Sequence, residues 1–180
     1  MDFGWSEEQT ELRTTATAFG AELNEGLLER DQAHEFDREG WKKCAGFGIH
    51  GLPVPKEYGG SGADILTTVG VLEALGLGCR DNGLIFSINA HMWTTAIPIR
   101  DFGTEEQKQR YLPRLCSGEL VGGNAMSEPG SGSDAYSLKT TAERKGDKYV
   151  LNGNKIFVSN GSVGDLMLVY ATVDPSKGPR

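Results

Sequence analysis

One short segment concentrates groups that could bind an anionic ligand. Residues 124–134 read Asn-Ala-Met-Ser-Glu-Pro-Gly-Ser-Gly-Ser-Asp, with two glycines, one proline and three serines. A loop of this composition can expose consecutive backbone N–H groups, which form an anion-binding concavity, and its hydroxyls add donors that rotate to suit a ligand. Loops rich in Gly and Ser also occur as plain turns, so both interpretations stay open for this segment taken alone.

A second segment places a lysine, an aromatic residue and a hydroxyl in close order. Residues 153–161 read Gly-Asn-Lys-Ile-Phe-Val-Ser-Asn-Gly. Together the two segments resemble the paired signatures of the acyl-CoA dehydrogenase flavoproteins. In that family an apolar–Ser/Thr–Glu–Pro–Gly–x–Gly–Ser–Asp loop precedes a Lys–x–aromatic–aliphatic–Ser/Thr–Asn–Gly strand. Segments 52–60 and 102–108 resemble the family as well, so the resemblance spans nearly the whole chain.

The resemblance implies an FAD site built from these two segments. Met126 and Ser127 would face the pyrimidine edge of the flavin, with the Ser127 hydroxyl directed toward N1 or O2. Ser133 would meet the pyrophosphate and lie near the pantetheine arm of the substrate. Phe157 would pack against the flavin ring, and the Ser159 hydroxyl would reach N5. The residues implied to contact the cofactor are Asn124, Ala125, Met126, Ser127, Gly132, Ser133, Phe157, Val158 and Ser159.

The same side chains allow simpler interpretations. Ser127 and Ser159 could be ordinary strand hydroxyls, and Phe157 could belong to the hydrophobic core. Glu128 and Asp134 could form a carboxylate pair, but side chain–backbone bonds that cap turns and helix ends are the favoured interpretation for both. The joint match to one template is what favours the cofactor site.

Four positions depart from the commoner family pattern. Asn124 stands where many relatives have an aromatic residue, and Phe157 replaces the commoner Trp. Ser127 and Ser159 replace the commoner Thr. Donor chemistry and aromatic character are kept, so the expectation of FAD binding stands, in a divergent subgroup of the family.

The reaction that the resemblance implies is FAD-dependent α,β-dehydrogenation of an acyl thioester, carried on CoA or on a carrier protein. Electrons would pass to an electron-transfer flavoprotein or another acceptor, and the whole enzyme would be a homodimer or homotetramer. The base in the family is a glutamate of the C-terminal helical domain. No residue of 1–180 matches it, so no catalytic residue is expected here. Two alternatives remain: an acyl-CoA oxidase or monooxygenase-like enzyme of the same fold, and a non-catalytic interaction or assembly module derived from such an enzyme.

Composition narrows the class of protein. Hydrophobic residues make up 38% and charged residues 24%, which suits a globular protein and not a disordered one. The net charge of −7 argues against nucleic acid as a partner. Residues 1–118 hold 11 basic and 18 acidic residues, while residues 119–180 hold seven of each, which fits two structural units.

Cysteine usage and the apolar runs indicate a cytoplasmic protein. Cys44, Cys79 and Cys116 lie far apart without a CxxC pair, so reduced thiols are favoured over a metal or redox role. Acidic residues occupy the region where a signal peptide would be basic, so none is expected. No apolar run approaches the roughly 18 residues that span a membrane.

The three histidines are not expected to form a metal site, because their spacing matches no metal-binding pattern. His91 lies in a buried-looking helix, where a hydrogen-bonded core residue is favoured over a catalytic one. His34 and His50 are expected at surface or loop positions.

The periodicity predicts an α+β fold. An N-terminal all-α helical bundle is expected over 1–118, followed by an incomplete antiparallel β-domain of barrel or sandwich type over 119–180. The resemblance implies further strands and a C-terminal four-helix domain. Both are expected to be absent from this chain, as in a truncated or split enzyme.

Local signals predict where the elements begin and end. Capping boxes at Ser6 with Gln9 and at Thr104 with Gln107 predict two helix starts. Asp37 is expected to cap a helix, and a buried helix over 82–101 is expected to kink at Pro98. The strands predicted after Gly118 cover 120–126, 138–143, 149–151, 155–159 and 166–173.

Overall fold

The computed structural model describes residues 4–177. Residues 1–3 and 178–180, which belong to the predicted domains 1–118 and 119–180, lie outside the described residues. The α-helices are α1 (Glu7–Glu22), α2 (Leu27–Ala33), α3 (Arg38–Phe47), α4 (Ile65–Gly78), α5 (Asn82–His91), α6 (Ile97–Phe102) and α7 (Glu105–Cys116). The strands are β1 (Gly122–Ala125), β2 (Thr141–Lys145), β3 (Lys148–Asn152) and β4 (Leu166–Val169). The predicted α+β fold is confirmed, with the helices preceding the strands.

Helix starts follow the predicted capping chemistry. At α1 the Gln9 N–H donates to Ser6 Oγ at 3.2 Å and the Ser6 N–H donates to Gln9 Oε1 at 3.0 Å. Thr104 and Gln107 make the same reciprocal pair at α7. Asp37 caps α3 by accepting from the Gly40 N–H at 2.8 Å. Each pair satisfies N–H groups that the first helical turn leaves without partners.

The segment predicted as one kinked helix is helical throughout but changes its winding. α5 continues into a π-helical turn at Met92–Ala96 and then into α6, which ends at Phe102. Pro98 lacks an N–H and its ring crowds the carbonyl four residues earlier. The π-helical turn before the proline accommodates that crowding and changes the direction in which α6 continues.

The strands form two small sheets in the described chain. β2 and β3 pair antiparallel, with Thr141 opposite Asn152, as the hairpin prediction requires. β1 pairs with β4 in parallel, so the antiparallel expectation does not extend to this pair. The segment 155–159 is not a strand, because only Ser159 forms a bridge, with Asn124. Local alternation cannot reveal which distant strand a segment pairs with.

The core lies between the helices and extends to β1. Its largest fully buried side chains include Trp41, Leu75, Ile88 and Met92. α1 and α4 approach closely at Gly20, where an added Cβ would lie 2.6 Å from the Leu75 carbonyl oxygen. In the part of the chain that the structure describes, no helix is long and apolar enough to cross a bilayer.

The histidines differ in burial. His91 is buried, as predicted, and its Nδ1 accepts the Gly122 N–H at 2.9 Å. His34 is exposed and caps the C-terminus of α2. The prediction for His50 is wrong: it is fully buried, 4.1 Å from the Trp41 ring between centroids, and bonded to the Trp41 carbonyl at 3.0 Å. A short 3₁₀ turn at Ile49–Gly51 carries it inward, which loop composition does not reveal.

Candidate functional site

A cavity of about 450 Å³ lies where α5 faces the two Gly/Ser-containing segments. Its volume falls in the range of small-molecule sites. One wall comes from α5 and its π-helical extension, through Phe86, Asn89, Ala90, Trp93 and Thr94. The opposite wall consists of Asn124, Met126, Ser127, Phe157 and Ser159.

The α5 wall was not anticipated from the sequence. Asn89 Nδ2 donates to the Ile85 carbonyl at 2.9 Å, and Asn89 Oδ1 accepts from Trp93 Nε1 at 2.9 Å. This pair holds the indole of Trp93 in one orientation. The available signal was the spacing of Phe86, Asn89 and Trp93, which places three side chains on one helix face.

Asn160 joins the opposite wall to α5 and to β1. Its Nδ2 donates to the Gly122 carbonyl at 2.8 Å and to the Ser87 carbonyl at 3.1 Å, while its Oδ1 accepts from Ser87 Oγ at 2.6 Å. Its φ of 61° lies in the left-handed region, which Asn tolerates better than most residues. The Asn of the second segment therefore positions Ser159 against the helix.

Phe157 is the most unusual residue of the cavity. Its side chain is 89% exposed, so the interpretation as a core residue is wrong. Its φ is 53°, a conformation that costs a non-glycine residue roughly 1–2 kcal/mol. Strained backbone and an unpacked aromatic ring at a cavity are features that proteins keep mainly where a ligand uses them.

Glu128 and Lys155 form a buried ion pair behind the cavity wall. Glu128 Oε1 accepts from Lys155 Nζ at 2.8 Å and from the Thr140 N–H at 2.9 Å, and Oε2 accepts from the Lys139 N–H at 2.6 Å. Burial by itself raises the pKa of Glu128, but these bonds outweigh it and lower the pKa to about 2. Glu128 is therefore an ionised acceptor of backbone N–H groups. The predicted side chain–backbone bonds are present, but they lie at the start of β2 and not at a helix end.

Asp134 does not cap a helix through its side chain. It precedes the 3₁₀ turn Ala135–Ser137 without a side-chain bond to that turn's backbone, and its carboxylate instead accepts the Ser137 hydroxyl. The capping interpretation is therefore wrong for Asp134. No group of three His, Cys, Asp or Glu side chains among residues 4–177 has an arrangement that could hold a metal ion.

The predicted cofactor residues divide into two groups. Asn124, Met126, Ser127, Phe157 and Ser159 line the cavity. The residues outside its lining are Ala125, which is buried in β1, Val158, which is half-buried, and Gly132 and Ser133, which are exposed on the loop. In this loop Ser131 is the buried serine, and its hydroxyl donates to the Asp134 carbonyl at 2.7 Å.

Fold and cavity together define a helical part followed by a strand-containing part, with a cavity at their junction. The chain belongs to the acyl-CoA dehydrogenase family. Residues 6–119 match the model of the acyl-CoA dehydrogenase N-terminal domain, and residues 123–180 match that of the middle domain.

Similar proteins extend beyond the length of this chain. A mitochondrial isovaleryl-CoA dehydrogenase of Bos taurus is 43% identical over 179 residues, which are 98% of this chain and 42% of that protein. The structure of the prolyl acyl carrier protein oxidase AnaB is 49% identical, with a TM-score of 0.93, over 97% of this chain and 47% of AnaB. The structure of PigA with FAD and proline is 38% identical, with a TM-score of 0.94, over 99% of this chain and 47% of PigA. The chain thus spans about half the length of these proteins.

Proposed function

We propose that this chain is part of an enzyme that uses FAD to introduce an α,β double bond into an acyl thioester. The observation that carries the proposal is the convergence of Ser127, Phe157 and Ser159 on one cavity. These residues come from two segments separated in the sequence, and a parallel β1–β4 pair and Asn160 bring them together. Family membership supports the same reaction class.

The residues of the cavity fit a flavin. A flat, heteroaromatic group needs an apolar surface for its faces and donors for its ring edge, and Met126 and the exposed ring of Phe157 supply such a surface. The hydroxyls of Ser127 and Ser159 supply rotatable donors. Bound FAD would supply the acceptor for the hydride that leaves the β-carbon of the thioester. The likeness to PigA with FAD and proline supports this choice of cofactor.

This chain's own residues would bind and orient. Ser127 would donate toward the edge where negative charge develops on reduction, and a preorganised donor stabilises such charge without reorganising. The hydroxyl of Ser159 would donate toward flavin N5. Trp93, held by Asn89, would limit the space beside the ring and exclude water from it.

We assign no catalytic base to the described residues, because no carboxylate lines the cavity within 4–177. Glu128 cannot serve, since its ionised carboxylate is already bound by Lys155 and two backbone N–H groups. The α-proton must leave to a base as the hydride leaves the β-carbon. We propose that this base belongs to a part of the whole protein other than residues 4–177.

The thioester is proposed to be carried either on CoA or on a carrier protein. The 43% identity to an isovaleryl-CoA dehydrogenase supports the first, and the 49% identity to a prolyl acyl carrier protein oxidase supports the second. The latter likeness also supports an oxidase, in which molecular oxygen accepts the electrons. A dehydrogenase would pass them to an electron-transfer flavoprotein, and the 41% identity to a chain in a structure of the electron transferring flavoprotein of Acidaminococcus fermentans supports that acceptor.

The remaining proposals concern the whole protein. We propose a homodimer or homotetramer in the cytoplasm, where three unpaired buried cysteines would stay reduced. A boundary between domains 1–118 and 119–180 is supported by Gly118, whose φ of 70° turns the chain from α7 toward β1. Ser133 is kept as a residue that would reach the pyrophosphate and the pantetheine arm of the substrate, and Gly132, Ala125 and Val158 are kept as further cofactor-binding residues.

The test replaces both hydroxyls in the whole protein, as Ser127→Ala with Ser159→Ala. Bound FAD and the rate of flavin bleaching by isovaleryl-CoA and by a prolyl carrier protein are then measured, with dye or oxygen as the acceptor. We expect weaker FAD retention and slower bleaching than in the wild type and in the control Ser162→Ala, an exposed serine. Unchanged FAD content and bleaching rate would reject the site. A wild type that bleaches with neither substrate would favour the non-catalytic module.

A further inference from the structure

We infer that Lys155, directly and through Glu128, is the positioning residue that sets the two segments of the wall opposite α5, residues 124–134 and 153–161, relative to each other. The inference rests on the proposed function, because it assigns a role toward the same cofactor. Neither side chain is among the residues that line the cavity. Both would act through the backbone groups that they hold.

Lys155 binds two points of the first segment. Its Nζ donates to the Met126 carbonyl at 2.9 Å and to Glu128 Oε1 at 2.8 Å. The side chains of Lys155 and Glu128 are 12% and 6% exposed, so little water competes for these bonds. The next residue, Ile156, donates its N–H to the Ser127 carbonyl at 3.0 Å. The second segment therefore contacts three consecutive residues of the first.

The bond to Met126 orients one peptide group. In a trans peptide the carbonyl and the following N–H point in opposite directions. The Met126 carbonyl is directed at Lys155, so the Ser127 N–H is directed away from it. Among the described residues, this N–H makes no backbone hydrogen bond. Lys155 thus leaves a backbone donor beside the Ser127 hydroxyl, available to a ligand edge.

Glu128 extends the arrangement to the start of the hairpin. Its carboxylate accepts the N–H groups of Lys139 and Thr140, which immediately precede β2. Glu128 also exchanges both backbone hydrogen bonds with Ser131, closing a tight turn in the loop. A single carboxylate therefore joins the loop, the segment before β2 and the second segment. Removing either charge would leave the other buried without its partner, which is strongly unfavourable.

The experiment compares Lys155→Met, Lys155→Arg and Glu128→Gln with the control Lys145→Met in the whole protein. Lys145 forms an exposed ion pair with Glu143, so its replacement should change nothing. We expect Lys155→Met to weaken FAD binding by about tenfold or more, as loss of hydrogen bonds to a charged donor predicts. It should also shift the visible absorption band of the bound flavin. Lys155→Arg keeps a charged donor, so it should retain part of the wild-type FAD affinity and part of the wild-type absorption spectrum.

A second readout does not need the cofactor. In the apoprotein, amide hydrogen exchange should accelerate at Lys139 and Thr140 in Glu128→Gln, and at Ile156 in Lys155→Met. If Lys155→Met fails to fold, Lys155→Arg and Glu128→Gln are compared with the wild type in FAD affinity, absorption spectrum and amide exchange. A wild type that binds no FAD would reject the proposed function together with this role. A wild type that binds FAD, with Lys155→Met equal to it in affinity, spectrum and amide exchange, would reject the role of Lys155 alone.

Discussion

The Nδ1 atom of His91, at the end of α5, accepts the backbone N–H of Gly122, the first residue of β1, at 2.9 Å. Both residues are buried, so the bond attaches the first strand to the helix that forms one wall of the cavity. Nδ1 must be unprotonated to accept it. Burial, together with a smaller contribution from His50, lowers the pKa of His91 to about 3. Burial also lowers the pKa of His50 to about 4, although its bond to the Trp41 carbonyl raises it.

We predict that His91→Leu lowers the free energy of unfolding by about 1–3 kcal/mol at pH 7, because the Gly122 N–H loses its acceptor while staying buried. Urea denaturation followed by tryptophan fluorescence measures the change. His34→Asn is the matched control, since His34 is exposed and its left-handed φ of 56° suits Asn. A control that destabilises as much as His91→Leu would contradict the assignment.

Stability is also predicted to depend on pH through His50 and His91. In the unfolded chain both titrate near pH 6.5, whereas the folded protein keeps them neutral down to about pH 4 and 3. The unfolded state therefore binds more protons below about pH 6.5, and the free energy of unfolding falls as the pH is lowered through this window. His91→Leu should show a shallower decline, so its deficit relative to the wild type narrows between pH 7 and pH 5. Parallel curves would exclude a buried neutral His91.

Glu128 is predicted to stabilise the fold above its unfolded pKa of about 4.3. Because its folded pKa is lowered to about 2, this contribution is lost as the pH falls from about 4.3 through 2. Glu128→Gln should remove that part of the acid-induced unfolding curve, whereas the exposed Glu143→Gln should not. Acid titrations of the three proteins by circular dichroism provide the measurement. An unchanged curve in Glu128→Gln would mean that the carboxylate is not bound as observed.

Phe157→Asn is expected to separate stability from binding. Asn adopts the left-handed conformation more readily, so the variant should gain about 0.5–1 kcal/mol of stability. The same change removes the exposed ring and should weaken FAD binding. Phe102→Asn is the control, because Phe102 is 88% exposed but lies in α6 without a left-handed φ. Thermal unfolding of the apoprotein measures the change in stability, and FAD titration measures the change in affinity. Tighter FAD binding by Phe157→Asn would count against a role of the Phe157 ring in binding.

Gly123→Ala is predicted to destabilise the protein by about 1–3 kcal/mol, as overpacking at close contacts does. An added Cβ would lie 2.5 Å from Met167 Sδ and 2.9 Å from the Ser159 carbonyl oxygen. The Ser159 segment would have to move, so FAD affinity should fall as well. Gly130→Ala is the control, since nothing lies within 4 Å of its added Cβ. Equal denaturation midpoints for Gly123→Ala and Gly130→Ala would show that the residues around Gly123 accommodate the added methyl group without loss of stability.

Much of the fold was determined by short-range chemistry in the sequence. The capping boxes at Ser6 and Thr104 locate two helix starts, because each needs only partners three residues apart. The hairpin that ends at Asn152 follows from local alternation and a turn. The paired signatures identified the family and pointed to Ser127 and Ser159 as candidate cofactor-binding residues.

Only the tertiary structure decided how these pieces meet. The parallel pairing of β1 with β4 and the absence of a strand at 155–159 depend on partners more than thirty residues away. The α5 wall of the cavity, the burial of His50 and the bonds of Lys155 depend on long-range contacts in the same way. Residue type and spacing specify what a side chain can bind. Its actual partner is set by packing of distant segments, which minimises buried polar groups without hydrogen bonds.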